Sequence, residues 1–134
     1  MVDEVVQAFE ATVETPAAVR QFLRDTLQTW KLDGFGDVTE LLTSELVTNV
    51  VLHVGEPMTV RAIRERPDAF RIEVTDLSPV APQLRRAGPE DECGRGLAIV
   101  DALADDWGTR VGDDGKTVWF TIDAANATHE VHDA

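Results

Sequence analysis

The sequence predicts an α+β domain, with helices packed on one face of a largely antiparallel sheet. Three observations lead there. Residues 58–66 and 69–76 alternate apolar and polar side chains on either side of Pro67-Asp68, as a hairpin does. Apolar residues recur at helical spacing over 16–30 and again over 37–53. The elements run strand, helix, helix, two strands, long loop, helix, two strands, an order that suits a two-layer sandwich.

Each element has its own warrant. Residues 4–13 read as a first strand. Thr15-Pro16 is an N-cap followed by proline at the first helical position, and Val19, Phe22, Leu23, Leu27 and Trp30 form one stripe of the helix that follows. A glycine-containing loop, 31–37, leads to a second helix over 37–53. Asp37 there is the predicted N-cap and Glu40 the third-position partner of a capping box. Gly55-Glu56-Pro57 ends that helix before the hairpin. Residues 77–93 carry three prolines and no regular apolar spacing. A loop of that length within a compact domain is usually functional or disordered. Gly94-Arg95-Gly96 then opens a third helix from Leu97 to about Ala104, and 107–111 with 116–122 form a closing hairpin. We expect one domain over 1–124 and a polar, frayed tail over 125–134.

Composition narrows the function. The chain has 134 residues, 25 acids against 12 Lys and Arg, and a net charge of −13. A broad phosphate-binding face for nucleic acid is therefore not expected. No apolar run approaches the roughly 20 residues that cross a bilayer. A single cysteine, Cys93, allows no internal disulfide. The expectation is a soluble cytoplasmic protein.

Three features carry chemistry. Glu45, Asn49 and His53 are spaced by four on the second helix, each about 40° round from the last, so they share a face. Their neighbours are mostly apolar, which predicts a largely buried helix. A carboxylate and an amide placed there need partners. Asn49 offers a carbonyl oxygen suited to magnesium, and Glu45 a base or a holder of metal-bound water. The same spacing also fits two side chains on a solvated edge, and His53 fits a simple helix-end residue. Asp76 closes an apolar strand, where it would accept a hydrogen bond from an exocyclic amine or make an Asx turn with Ser78. Gly94 and Gly96, with Arg95 between them, bring free amides and charge to a helix start, a setting for phosphate as well as a plain helix entry. Cys93 beside them has no visible His partner.

Taken in order, these segments resemble the GHKL (Bergerat-fold) ATPases, which include histidine kinases, DNA gyrase and the anti-sigma-factor serine kinases. ELVTNVVLH (Glu45 to His53) is similar to the N box. VTDLSP around Asp76 is similar to the G1 box, except that Ser78 stands where glycine is usual. GRGLAIV (Gly94 to Val100) is similar to the G2 box, and DWG with GKTVWF (Gly115 to Phe120) to the closing strands. The resemblance implies the Bergerat two-layer sandwich with a mostly antiparallel mixed sheet, ATP and Mg2+ as cofactors, and an ATP lid over 77–93. It also implies roles. Asn49 would coordinate magnesium and Glu45 would orient or deprotonate the attacking group. Asp76, helped by Thr117, would bind the adenine amine, and Gly94, Arg95, Gly96 and Leu97 would wrap the phosphates. Among small stand-alone members the resemblance is to anti-sigma factors that phosphorylate a serine of a STAS-domain anti-anti-sigma partner and act as homodimers. The alternative is a non-catalytic ATP-binding module that works by protein binding alone.

Overall fold

A computed structural model of the chain describes residues 3–77, 92–112 and 115–125, with the backbone alone described at 92–97. The element order is β1 (Asp3–Phe9), α1 (Thr15–Thr29), α2 (Gly36–His53), β2 (Met58–Arg66), β3 (Ala69–Asp76), α3 (Glu92–Leu103), β4 (Asp106–Gly112) and β5 (Gly115–Asp123), with a short 3-10 turn, Asp33–Phe35, before α2. The strands form one five-stranded sheet in the order β1-β2-β3-β5-β4. Every pairing in it is antiparallel, so the expected mixed sheet gives way to a wholly antiparallel one.

The sheet has one apolar face, and the helices cover it. Val60, Ala62, Phe70, Ile72, Val74, Phe120 and Ile122 are all buried. They come from alternate positions of β2, β3 and β5, as a pleated strand requires. They pack against Val19, Leu23 and Leu27 of α1 and Leu42, Leu46, Val47 and Val50 of α2. Trp30, just past α1, tilts against Phe70 with ring centroids 6.4 Å apart, and Phe9 meets Phe22 edge-on at 5.9 Å. α2 lies centrally among the helices, touching α1, α3 and β3.

The ends of the elements depart from expectation for local reasons. β1 stops at Phe9 rather than running to residue 13, because a threonine turn takes the chain. Thr12 N donates to Thr15 Oγ1 at 2.9 Å, Glu14 N donates to Thr12 Oγ1 at 3.2 Å, and the Thr15 hydroxyl donates to the Glu10 carbonyl. Thr15 thus begins α1 as its first residue, behind a Glu14 N-cap. The Asp37–Glu40 capping box does not form. α2 starts at Gly36 with Phe35 as N-cap and no side-chain cap bond. Glu40 is drawn instead to Arg24 of α1, at 2.9 Å. That bond and the charge of Glu40 raise the Arg24 guanidinium further above its ordinary value. Asp37 remains in the first turn, where a negative charge suits the helix dipole.

Two helix ends use left-handed residues. Gly55, at φ 71°, follows α2, and its N–H bonds the Val50 carbonyl at 2.9 Å. Lys31 does the same work after α1 at φ 62°, an uncommon conformation for a residue with a Cβ.

Candidate functional site

The candidate residues lie on α2, at the end of β3 and at the start of β5, and α2 packs against β3. On α2 the buried positions Gly36, Thr39, Leu42, Thr43, Leu46, Val47 and Val50 define the core stripe. Glu45 and Asn49 flank that stripe and are half-buried. Neither has a side-chain hydrogen-bond partner among the described residues. α2 is less buried than its sequence suggested. Leu41 and Leu52, on the same side as Glu45, are 42% and 56% exposed, so the oily helix has an open flank. His53 is exposed at the helix end and does not join Glu45 and Asn49 in their half-buried setting.

Asp76 is the most deeply placed of the predicted residues, at 2% exposure on the last position of β3. Its cross-strand partner in the β3–β5 ladder is Lys116. Paired residues of an antiparallel ladder share a face, and here that face is the one carrying Val74, Val118 and Phe120 against the helices. Lys116 Nζ donates to Asp76 Oδ2 at 2.7 Å, with 11% of the lysine side chain exposed.

Thr117 departs from expectation. It is one residue on from Lys116, so its side chain emerges on the opposite face, away from the helices. There its hydroxyl meets Thr75 Oγ1 at 2.8 Å. The structure therefore does not bring Thr117 to Asp76. Lys116, which the sequence reading passed over, stands in that place. The available signal was the Gly115-Lys116 pair at the head of the closing strand. Gly115 has φ 153°, and a Cβ on it would lie 2.0 Å from the Asp76 carbonyl oxygen. Only glycine lets β5 approach the end of β3 this closely.

The glycine pair also sits differently. α3 begins at Glu92, so Gly94 and Gly96 lie within its first turns rather than in a loop ahead of Leu97. An acidic residue at the leading position favours starting a helix there. The leading N–H groups of a helix lack intrahelical partners, and in α3 as described these include Glu92, Cys93 and Gly94. The side chains of Cys93, Arg95 and Leu97 lie outside the described residues, as do 78–91 of the expected lid and 126–134 of the tail.

The donor set suits a magnesium held mainly by a ligand's own phosphates. No group of three or more His, Cys, Asp or Glu side chains among the described residues could cage a metal. Mg2+ commonly keeps several waters and takes phosphate oxygens with only one or two protein ligands. One half-buried amide oxygen, at Asn49, fits that requirement. The nearly buried carboxylate of Asp76 fits an amine donor. No helix of the described residues is long and apolar enough to cross a membrane.

Comparison with known proteins gives three findings. Residues 9–122 match the histidine kinase-like ATPase domain. An uncharacterized protein of Streptomyces coelicolor is 40% identical over 79 residues, covering 56% of this chain and 75% of the relative. Among solved structures, the RsbU and RsbW domains of Rv1364c from Mycobacterium tuberculosis superpose with a TM-score of 0.68 at 21% identity, covering 90% of this chain and 32% of that one. At that identity the likeness concerns the fold, and this chain spans about a third of that structure's length.

Proposed function

The chain belongs to the histidine kinase-like ATPase domain family, and from that premise we propose that it binds Mg-ATP and acts as an anti-sigma factor with serine kinase activity toward a STAS-domain partner. The observation that supports the nucleotide part is a buried strand-end carboxylate, Asp76, together with two half-buried polar side chains, Glu45 and Asn49, that have no hydrogen-bond partner among the described residues and lie a turn apart on the helix packed against the same strand. In this reading Asp76 accepts from the adenine amine. Asn49 supplies the oxygen that holds magnesium against the phosphates. The leading amides of α3 face the phosphates with the positive end of the helix dipole.

Magnesium, when bound, offsets phosphate charge during an in-line transfer. Glu45 lies one turn before Asn49 and takes the proton of the attacking serine. The regulatory part of the proposal draws on the fold shared with the RsbW-containing structure and on the acidic surface, with net charge −13, which suits a protein partner carrying a basic patch. The proposed assembly is a homodimer that holds a sigma factor and releases it to the competing STAS protein, in the cytoplasm.

The test uses the full chain with labelled ATP, magnesium and a candidate STAS protein. Label appearing on a serine of the partner, and lost in Glu45→Ala while ATP still binds, supports the kinase. ATP binding with no label on any partner supports a binding module instead. No heat and no thermal shift with millimolar adenine nucleotides would sink both.

A further inference from the structure

Lys116 is an unassigned charge at the deepest part of the proposed nucleotide site. Its side chain is 11% exposed and its one hydrogen bond goes to Asp76 Oδ2. An ammonium has three donors, so two have no partner among the described residues. A nearly buried cation with spare donors is costly unless something else accepts from it. Lys116 also cannot be a bystander swept in by a flexible loop. Its backbone is fixed in the ladder opposite Asp76, and Gly115 holds the head of β5 against the Asp76 carbonyl.

We propose that Lys116 is a second base-reading residue. Its ammonium donates to adenine N1 while Asp76 accepts from the neighbouring N6 amine. This inference rests on the nucleotide reading above. A carboxylate alone recognises any amine. A carboxylate and an ammonium side by side recognise an ordered donor–acceptor edge, and adenine presents that order. Guanine presents the reverse, an O6 acceptor beside an N1 donor. The pair therefore selects the base by sequence of donors, and a ligand lacking the N1 acceptor leaves the spare donors of Lys116 unanswered, a situation that discriminates against it.

The test is a cycle of two ligands and three proteins, read by calorimetry. The ligands are ATP and 1-deaza-ATP, which keeps the amine and replaces N1 with C–H. Wild type is expected to bind ATP at least about tenfold more tightly, the worth of one charge-assisted hydrogen bond. Lys116→Met is expected to bind both ligands alike. Lys116→Gln, which keeps a donor, is expected to restore part of the preference. A purely structural lysine, one that merely steadies Asp76, predicts that Lys116→Met weakens both ligands equally and keeps their ratio, and that result would overturn the proposal. So would equal affinity of wild type for the two ligands, which decides the matter even where the Met variant fails to fold. A wild type that binds neither ligand defeats the nucleotide reading itself and this inference with it. Binding of ATP without discrimination defeats only the role of Lys116.

Discussion

Replacing Gly115 with alanine should separate backbone strain from steric collision at the head of the site. Two glycines with positive φ provide the comparison. At Gly55, φ is 71° and an added Cβ would meet nothing within 4 Å, so alanine there carries only the left-handed penalty, about 1 kcal/mol. At Gly115, φ is 153°, a region close to glycine-only, which costs about 1–3 kcal/mol. An added Cβ there would also lie 2.0 Å from the Asp76 carbonyl oxygen and 3.0 Å from Leu77 Cα. Both obstacles are backbone, so neither can swing aside. Relief requires β5 to part from the end of β3 by more than about 1 Å, and overpacking of that kind adds about 1–3 kcal/mol. The expected total for Gly115→Ala is about 2–6 kcal/mol, against about 1 for Gly55→Ala. Urea denaturation of the two variants at constant m-value measures the difference. The folded fraction of Gly115→Ala should also bind ATP more weakly, since the shift moves the Asp76 and Lys116 backbones apart, while Gly55→Ala should bind as wild type. Equal stability losses at the two glycines would refute the close approach of β5 to Asp76, and with it the placement of Lys116.

Three further outcomes follow from single residues. Lys31→Gly should stabilise the protein by about 0.5–1 kcal/mol in thermal denaturation, because glycine adopts the left-handed φ of 62° without strain and loses only part of that gain to chain entropy. Thr43→Val should be neutral or stabilising by about 1 kcal/mol in urea denaturation, because the Thr43 hydroxyl is fully buried with no hydrogen-bond partner among the described residues and valine keeps its shape. Asn49→Ala should abolish the gain in ATP affinity that magnesium gives wild type. Calorimetry with magnesium and with a chelator then reads the same value for the variant, and a surviving magnesium effect would place the metal elsewhere.

Much of the architecture was legible because local chemistry and tertiary packing agree there. The hairpin 58–66/69–76 falls where alternation and Pro67-Asp68 place it, since the residues that alternate are the ones facing the helices. α1 follows its apolar stripe from Val19 to Leu27. The elements that carry the candidate residues were legible, and the faces on which they lie less so. Glu45, Asn49 and Asp76 needed only helical spacing and a strand end to be located. Thr117 needed a register between strands some forty residues apart in sequence. A slip of one residue turns every side chain to the other face, and nothing local distinguishes Thr117 from Lys116. The capping box failed for a similar reason. Glu40 has a distant partner in Arg24, and a local motif cannot show that competitor.

The two faces of the sheet differ in how their polar groups are placed. The face turned from the helices carries Glu73, only 7% exposed, between Arg71 at 3.7 Å and Arg110 at 3.8 Å. Arg71 also lies over the Trp119 ring at 4.6 Å, and Gly108 leaves room for that ring, since a Cβ there would come within 2.7 Å of it. Glu73 therefore has a guanidinium on either side of it within that face, one from its own strand and one from β4 beyond β5. The helix face is apolar along β2, β3 and β5 between two charged pairs, the part-exposed Arg64–Asp3 pair and the buried Asp76–Lys116 pair. Burying such a pair in an apolar layer is weak evidence for stability, because the desolvation cost offsets most of the attraction. In the proposed function the same pair would serve specificity instead, since it stands on β3 and β5 where the strand that packs against α2 ends.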